Sequence, residues 1–76
     1  MPRITPLDWK TLSCIFKKAG FTLERENKRH LVLSKEGCLR PVIIPKYKDV
    51  GIDIIVSNMR SAKMTRKEFL DLWAQC

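Results

Sequence analysis

The feature that most constrains the fold is a change of hydrophobic period at Gly20. Before this glycine, four apolar residues recur at the spacing of one helix face: Leu12, Ile15, Phe16 and Ala19. After it, apolar and polar residues alternate, which is typical of strands with one buried face. A chain that carries both periods must pack helices against a sheet. The sequence therefore predicts an α+β fold.

The first helix is predicted over residues 6–19. Thr5 can cap its N-terminus, Pro6 suits the first helical position, and Asp8 lies at the positive end of the helix dipole. Gly20 can adopt the left-handed backbone conformation that commonly ends a helix.

Three strands should follow. Residues 21–26 alternate, with Phe21, Leu23 and Arg25 expected on one half-buried face, and Asn27 should turn the chain because asparagine tolerates positive φ. Residues 29–34 form the second strand and residues 39–45 the third. Pro41 cannot donate to a ladder, so the third strand should lie at a sheet edge.

Two further helices complete the chain. The apolar spacing from Ile52 to Met59 predicts the second, and a Thr65–Glu68 capping box begins a short third helix. The order is then α-β-β-β-α with a terminal helix, in one domain over residues 1–76. We expect a three-stranded antiparallel sheet with the helices packed on one face. A double-stranded-RNA-binding domain has the same order of elements.

The charge of the chain is strongly basic and uneven. Its net charge is +7, and residues 17–48 hold nine cations and three anions, so nearly all the excess lies there. Such a surface is typical of proteins that bind nucleic acid or an acidic protein. No apolar run approaches the roughly 20 residues of a membrane span, and no signal peptide is recognisable. Three distant cysteines favour a reducing compartment, without a disulfide or a metal site, so we expect a cytoplasmic protein.

His30 is the only histidine, and it lies where a basic turn becomes the second strand. If Leu31 and Leu33 face the core, His30 faces away from it. Imidazole can act as a general base or acid near neutral pH, and neighbouring cations can stabilise a phosphorane. We therefore predict that His30 is a catalytic residue acting on RNA without metal.

Six further residues are predicted to bind RNA. Tyr47 lies between two lysines in a polar loop and could stack on an unpaired base, although it could equally cover the core. The others are cations around the turn and this loop. The predicted set is Arg25, Lys28, Arg29, Lys46, Tyr47 and Lys48.

Two other functions remain open at this point. A non-catalytic RNA-binding domain would use the same basic hairpin without needing His30. A basic protein-interaction domain would need only the positive surface, which would meet an acidic partner.

An ordered set of residues from about Leu7 to Leu72 resembles the HicA toxins, also called the YcfA-like family. The set comprises Ala19-Gly20-Phe21, Arg25, the turn ending in His30, Val42-Ile43-Ile44-Pro45, Ile55, Asn58, Arg60 and Met64-Thr65-Arg66-Lys67-Glu68-Phe69. The resemblance implies a double-stranded-RNA-binding-like fold and a metal-independent ribonuclease that cleaves mRNA. It also implies inhibition by an acidic HicB-like antitoxin protein.

The same resemblance assigns the catalytic role to His30. In the family, a turn of small residues containing glycine precedes this histidine. Here Lys28 and Arg29 occupy those positions. Because glycine allows close backbone approach to a phosphate, this departure bears on catalysis more than on the fold.

Overall fold

The computed structural model describes residues 4–76, and it confirms the predicted α+β architecture. Three helices and three strands follow one another in the expected order. They are α1 (Trp9–Lys18), β1 (Thr22–Glu26), β2 (His30–Ser34), β3 (Val42–Pro45), α2 (Ile52–Ser61) and α3 (Arg66–Trp73). No helix in this described range is long and apolar enough to cross a membrane.

Helix α1 begins three residues later than predicted. Asp8, and not Thr5, is its N-cap, and the Asp8 carboxylate accepts a hydrogen bond from the Thr11 backbone N–H at 2.8 Å. Hydrogen bonds from Thr11 hold the pKa of Asp8 below its ordinary value. The prediction failed because Leu7 is extended: it pairs with Val50, whose N–H donates to the Leu7 carbonyl at 2.7 Å.

The other ends of the helices agree with the sequence signals. Gly20 follows α1 with a φ of +103°, the left-handed conformation expected of a glycine stop. Helix α2 begins at Ile52 as predicted. The capping box at the start of α3 is complete, because Thr65 accepts from the Glu68 backbone and Glu68 accepts from the Thr65 backbone.

The sheet is antiparallel in the order β1-β2-β3. Alternate residues of β2 and β3 are buried under the helices: Leu31, Leu33, Val42 and Ile44. Helices α1 and α2 pack against β3, and α1 packs against α3. No helix of residues 4–76 lies on the opposite face of the sheet, so this part of the chain has two layers and one open sheet face.

Strand β3 is at an edge, as Pro41 indicated, but it is shorter than predicted. It begins at Val42, and Leu39 is 99% exposed in the preceding loop. The Lys46 N–H donates to the Arg29 carbonyl at 2.8 Å, so alternate backbone groups at Pro41, Ile43 and Pro45 point to the free edge. Two of these three residues lack an N–H, which limits pairing with another strand.

The predicted half-buried face of the first strand is right for Phe21, which is buried just before β1, and wrong for Leu23 and Arg25. All five residues of β1 are exposed, because no helix covers this strand, and even Leu23 is 43% exposed. In addition, the register shifts between Leu23, which pairs with Leu33, and Arg25, which pairs with Val32. The extra residue of this β-bulge moves Arg25 to the open face of the sheet.

The expectation that the cysteines stay unpaired is also wrong. Cys14 of α1 and Cys76 at the C-terminal end form a disulfide across 62 residues of sequence, with a Cα–Cα distance of 6.2 Å. Cys38 is a free thiol. An odd cysteine count does not exclude one bridge, and only the packing of α1 against α3 brings this pair together.

We expect Cys14→Ser to lower the free energy of unfolding by about 2–4 kcal/mol under oxidising conditions, because the bridge closes a long loop in the unfolded chain. Urea denaturation with and without a thiol reductant measures the effect. Reductant should lower the wild-type midpoint and leave the variant unchanged. Cys38→Ser is the matched control, and equal stability of the two variants in oxidant would contradict the prediction.

Candidate nucleic-acid interface

The turn before His30 is a two-residue hairpin loop held by one side chain. The Asn27 N–H donates to the His30 carbonyl at 3.0 Å, which leaves Lys28 and Arg29 as the loop. The Asn27 side-chain oxygen accepts from the backbone N–H groups of Arg29 and His30, each at 2.8 Å. Asn27 therefore acts through its side chain, and the expected positive φ is not observed.

This geometry explains how the turn forms without glycine. Among residues 4–76, the only non-glycine residue with positive φ is Lys63, which lies far along the chain. Lys28 and Arg29 thus adopt ordinary backbone conformations that any L-residue tolerates. The two cationic side chains can occupy the loop without backbone strain.

His30 is the first residue of β2 and points away from the core. Leu31 and Leu33 are buried, as predicted, and His30 alternates with them. Its strand partner across the sheet is Pro45. His30 is half-buried, and no hydrogen bond joins its imidazole to the described part of the chain. Both ring nitrogens are therefore available to a ligand.

A cleft of about 420 Å³ opens beside this imidazole. It is formed where the hairpin turn meets the loop after β3. The lining residues are Lys28, Arg29, His30, Lys46 and Tyr47. The structure thus brings together five of the seven residues that the sequence singled out. Tyr47 is 56% exposed, so it does not serve mainly to cover the core.

Lys46 is already engaged by the protein. Its ammonium lies 2.7 Å from the Glu26 carboxylate and 5.3 Å from the centre of the Trp9 ring. Its side chain is only 19% exposed. Through these two contacts, Lys46 connects the loop after β3 to β1 and α1. Its ammonium is thus partnered within the protein, and the contact with RNA predicted for Lys46 stays a prediction.

Sequence reasoning missed Glu26 and Trp9 as parts of this region. The backbone N–H of Trp9 also donates to the Tyr47 carbonyl at 3.1 Å, so the start of α1 fixes the loop that carries Tyr47. Glu26 reaches Lys46 because it pairs with Leu31 and projects to the helix side of the sheet. No local signal marks either residue, because the contacts cross 20 or more positions.

The remaining two predicted residues lie outside the cleft. Arg25 is exposed on the same face as His30, since it pairs with Val32. Lys48 is exposed but does not line the cleft. Within residues 4–76 no carboxylate lies within 4 Å of Arg25, Lys28, Arg29 or Lys48. These cations are therefore available to phosphate groups.

The chain matches no protein-family model, no curated protein and no solved structure. The resemblance to the HicA family therefore stays a prediction. In the described range, no three histidine, cysteine, aspartate or glutamate side chains come together as a metal site.

We expect Asn27→Ala to destabilise the protein by about 1–2 kcal/mol, because two backbone N–H groups lose their acceptor. Thermal and urea melting measure the loss. Asn27→Asp is the matched control, because it keeps the accepting oxygen and should retain most of the stability. If the alanine variant melts with the wild type, the side chain does not hold the turn.

Proposed function

We propose that this protein is a small, metal-independent endoribonuclease that cleaves mRNA in the manner of a HicA toxin. The observation that carries the proposal is the cleft in which the single histidine lies among cations and one exposed tyrosine. The cations supply attraction to the RNA backbone. The imidazole supplies a group that can move a proton at neutral pH.

RNA provides its own nucleophile, so the protein needs few groups. His30 accepts the proton of a 2′-OH, and the resulting oxygen attacks the adjacent phosphorus. Lys28 and Arg29 stabilise the negative charge that develops on the phosphorane. The bond from phosphorus to the 5′ oxygen then breaks, and that oxygen takes a proton from water or a neighbouring cation. The products carry a 2′,3′-cyclic phosphate and a 5′-OH.

Tyr47 and Lys46 have different roles in this scheme. The exposed Tyr47 ring offers a stacking surface for an unpaired base beside the reacting phosphate. Lys46 holds the loop in place through Glu26 and Trp9. Lys48 and Arg25 lie farther out and attract the strand on either side of the cleft.

We expect His30→Ala to abolish RNA cleavage and growth arrest while changing the free energy of unfolding by no more than about 0.5 kcal/mol, because His30 is not part of the core. Cleavage is measured in the presence of a chelator, with the cyclic phosphate as the product to detect. Gln75→Ala, a change at an exposed residue after α3, is the control. A folded His30→Ala variant that still cuts RNA would overturn the catalytic assignment.

The same measurements separate the alternative functions. A non-catalytic RNA-binding domain would bind RNA with an affinity that falls steeply with salt, and no wild-type cleavage would be found. A basic protein-interaction domain would bind RNA weakly and an acidic protein tightly. The accessible His30 imidazole favours the enzyme over both.

The partner we propose is an acidic HicB-like antitoxin that covers the His30 face. Nearly all the excess positive charge lies in residues 17–48, so RNA and an acidic protein would compete for one surface. The proposed compartment is the cytoplasm, where mRNA is found. Reducing conditions there would keep Cys14 and Cys76 largely as thiols.

We expect the purified complex with an acidic HicB-like protein neither to bind nor to cleave a short RNA, because the partner would occupy the His30 cleft. Titration of the complex with a labelled RNA follows binding and cleavage together. The free protein is the reference. A saturated complex that binds and cuts like the free protein would show that the partner inhibits at a distance from the cleft.

A further inference from the structure

We propose that the open face of the sheet beside His30 is a second nucleotide subsite, so that the substrate is a single strand held on both sides of the cleaved phosphate. This inference rests on the proposed ribonuclease function and deepens it. One nucleotide would occupy the cleft against Tyr47. Its neighbour would lie on a row of side chains across β1, β2 and β3.

The strand register defines this row. Val32 pairs with Arg25 of β1 on one side and with Ile43 of β3 on the other. Val32 also shares its face with His30, two residues away, which is about 7 Å along the strand. A cation, a half-buried valine and a 49% exposed isoleucine thus cross the open face one step from the imidazole.

The chemistry of the row fits a nucleotide. Val32 and Ile43 offer an apolar surface that a base can cover, with loss of water from both. Arg25 has no carboxylate within 4 Å and can meet a phosphate at the end of the row. The paired positions of this face are Thr22, Arg25, His30, Val32, Ser34, Ile43 and Pro45, and none of them is a carboxylate. The nearest carboxylates are Glu24, in the bulge beside Arg25, and Asp53 of α2, which lines a groove with Ile43. A base can lie flat here only when it is unpaired.

Two features favour RNA over a protein strand as the occupant. The face is continuous with the cleft through His30, so one extended strand can reach both. In addition, Pro41 and Pro45 remove two backbone donors from the free edge of β3. Between these two prolines, Ile43 alone presents a backbone N–H to which a partner strand could bond at this edge.

The test combines a side-chain change with the removal of one base. A short RNA with a single cleavage site is made in three forms: intact, or with a base missing on the 5′ or the 3′ side of that site, each retaining its ribose 2′-OH. Ile43→Ser should raise KM for the intact RNA about fivefold. For one of the two RNAs that lack a base, Ile43→Ser should leave KM unchanged, because the base that would contact Ile43 is already missing. For the other, Tyr47→Ala should leave KM unchanged for the same reason.

Ile52→Ser is the matched control, because Ile52 is 42% exposed but lies on α2, away from the open sheet face. Arg25→Gln should reduce the slope of log affinity against log salt by about 0.7, the value for one phosphate contact on a single strand. Arg40→Gln, a change at an exposed arginine between β2 and β3, should leave that slope unchanged.

The proposal is wrong if Ile43→Ser leaves KM for the intact RNA unchanged, or raises it equally for all three RNAs. It is also wrong if this change weakens only the complex with an acidic protein partner, which would make the face a protein-docking surface. Absence of cleavage by the wild type would overturn the ribonuclease function instead. The same three RNAs would then test the subsite through their dissociation constants.

Discussion

The burial of one side of the sheet under the helices is the constraint on which the rest of the structure depends. Leu31 and Leu33 of β2 must face this core, and the period of a strand then forces His30 and Val32 to the open side. A slip of one residue would bury the imidazole and expose two leucines. The hydrophobic effect thus fixes the position of a polar functional group that contributes little to stability itself.

Three local features complete the arrangement of side chains around His30. The Asn27 side chain closes the hairpin and allows two cations in its loop. The bulge in β1 transfers Arg25 to the open face. The contacts of Lys46 with Glu26 and Trp9 hold the loop that presents Tyr47. Each of these features involves charged or polar residues that are exposed or only partly buried.

The chemistry that such a site can support is simple. For the proposed ribonuclease, one imidazole and a few cations suffice for an attack by the 2′-OH, and the 76 residues hold no second histidine. The second proton must move through water or a cation, which makes slow turnover the expected behaviour.

Much of the fold could be predicted because its signals are local. The helix period before Gly20, the capping box at Thr65 and the alternation around Leu31 and Leu33 each involve residues within one element. The position of His30 on the solvent side followed from that alternation. The turn at Asn27 and Lys28 was predicted, although with a different backbone conformation, and Arg29 was placed in the second strand where the structure has it in the loop.

Other features depended on how the elements pair and pack with one another, and only the tertiary structure decided them. The bulge that moves Arg25 is set by the pairing of β1 with β2, and the Cys14–Cys76 bridge requires the docking of α3 on α1. Leu7 is not part of the predicted helix because it forms an antiparallel bridge with Val50. By itself, the sequence determined which elements form and which residues of α1 and β2 face the core, because periodicity and capping act over a few residues. The partners of Lys46 and Cys14 were determined by packing, because they lie 20 and 62 positions away, too far for a local pattern to reveal them. Arg25 lies only seven positions from Val32, but no residue pattern in the hairpin marks the bulge.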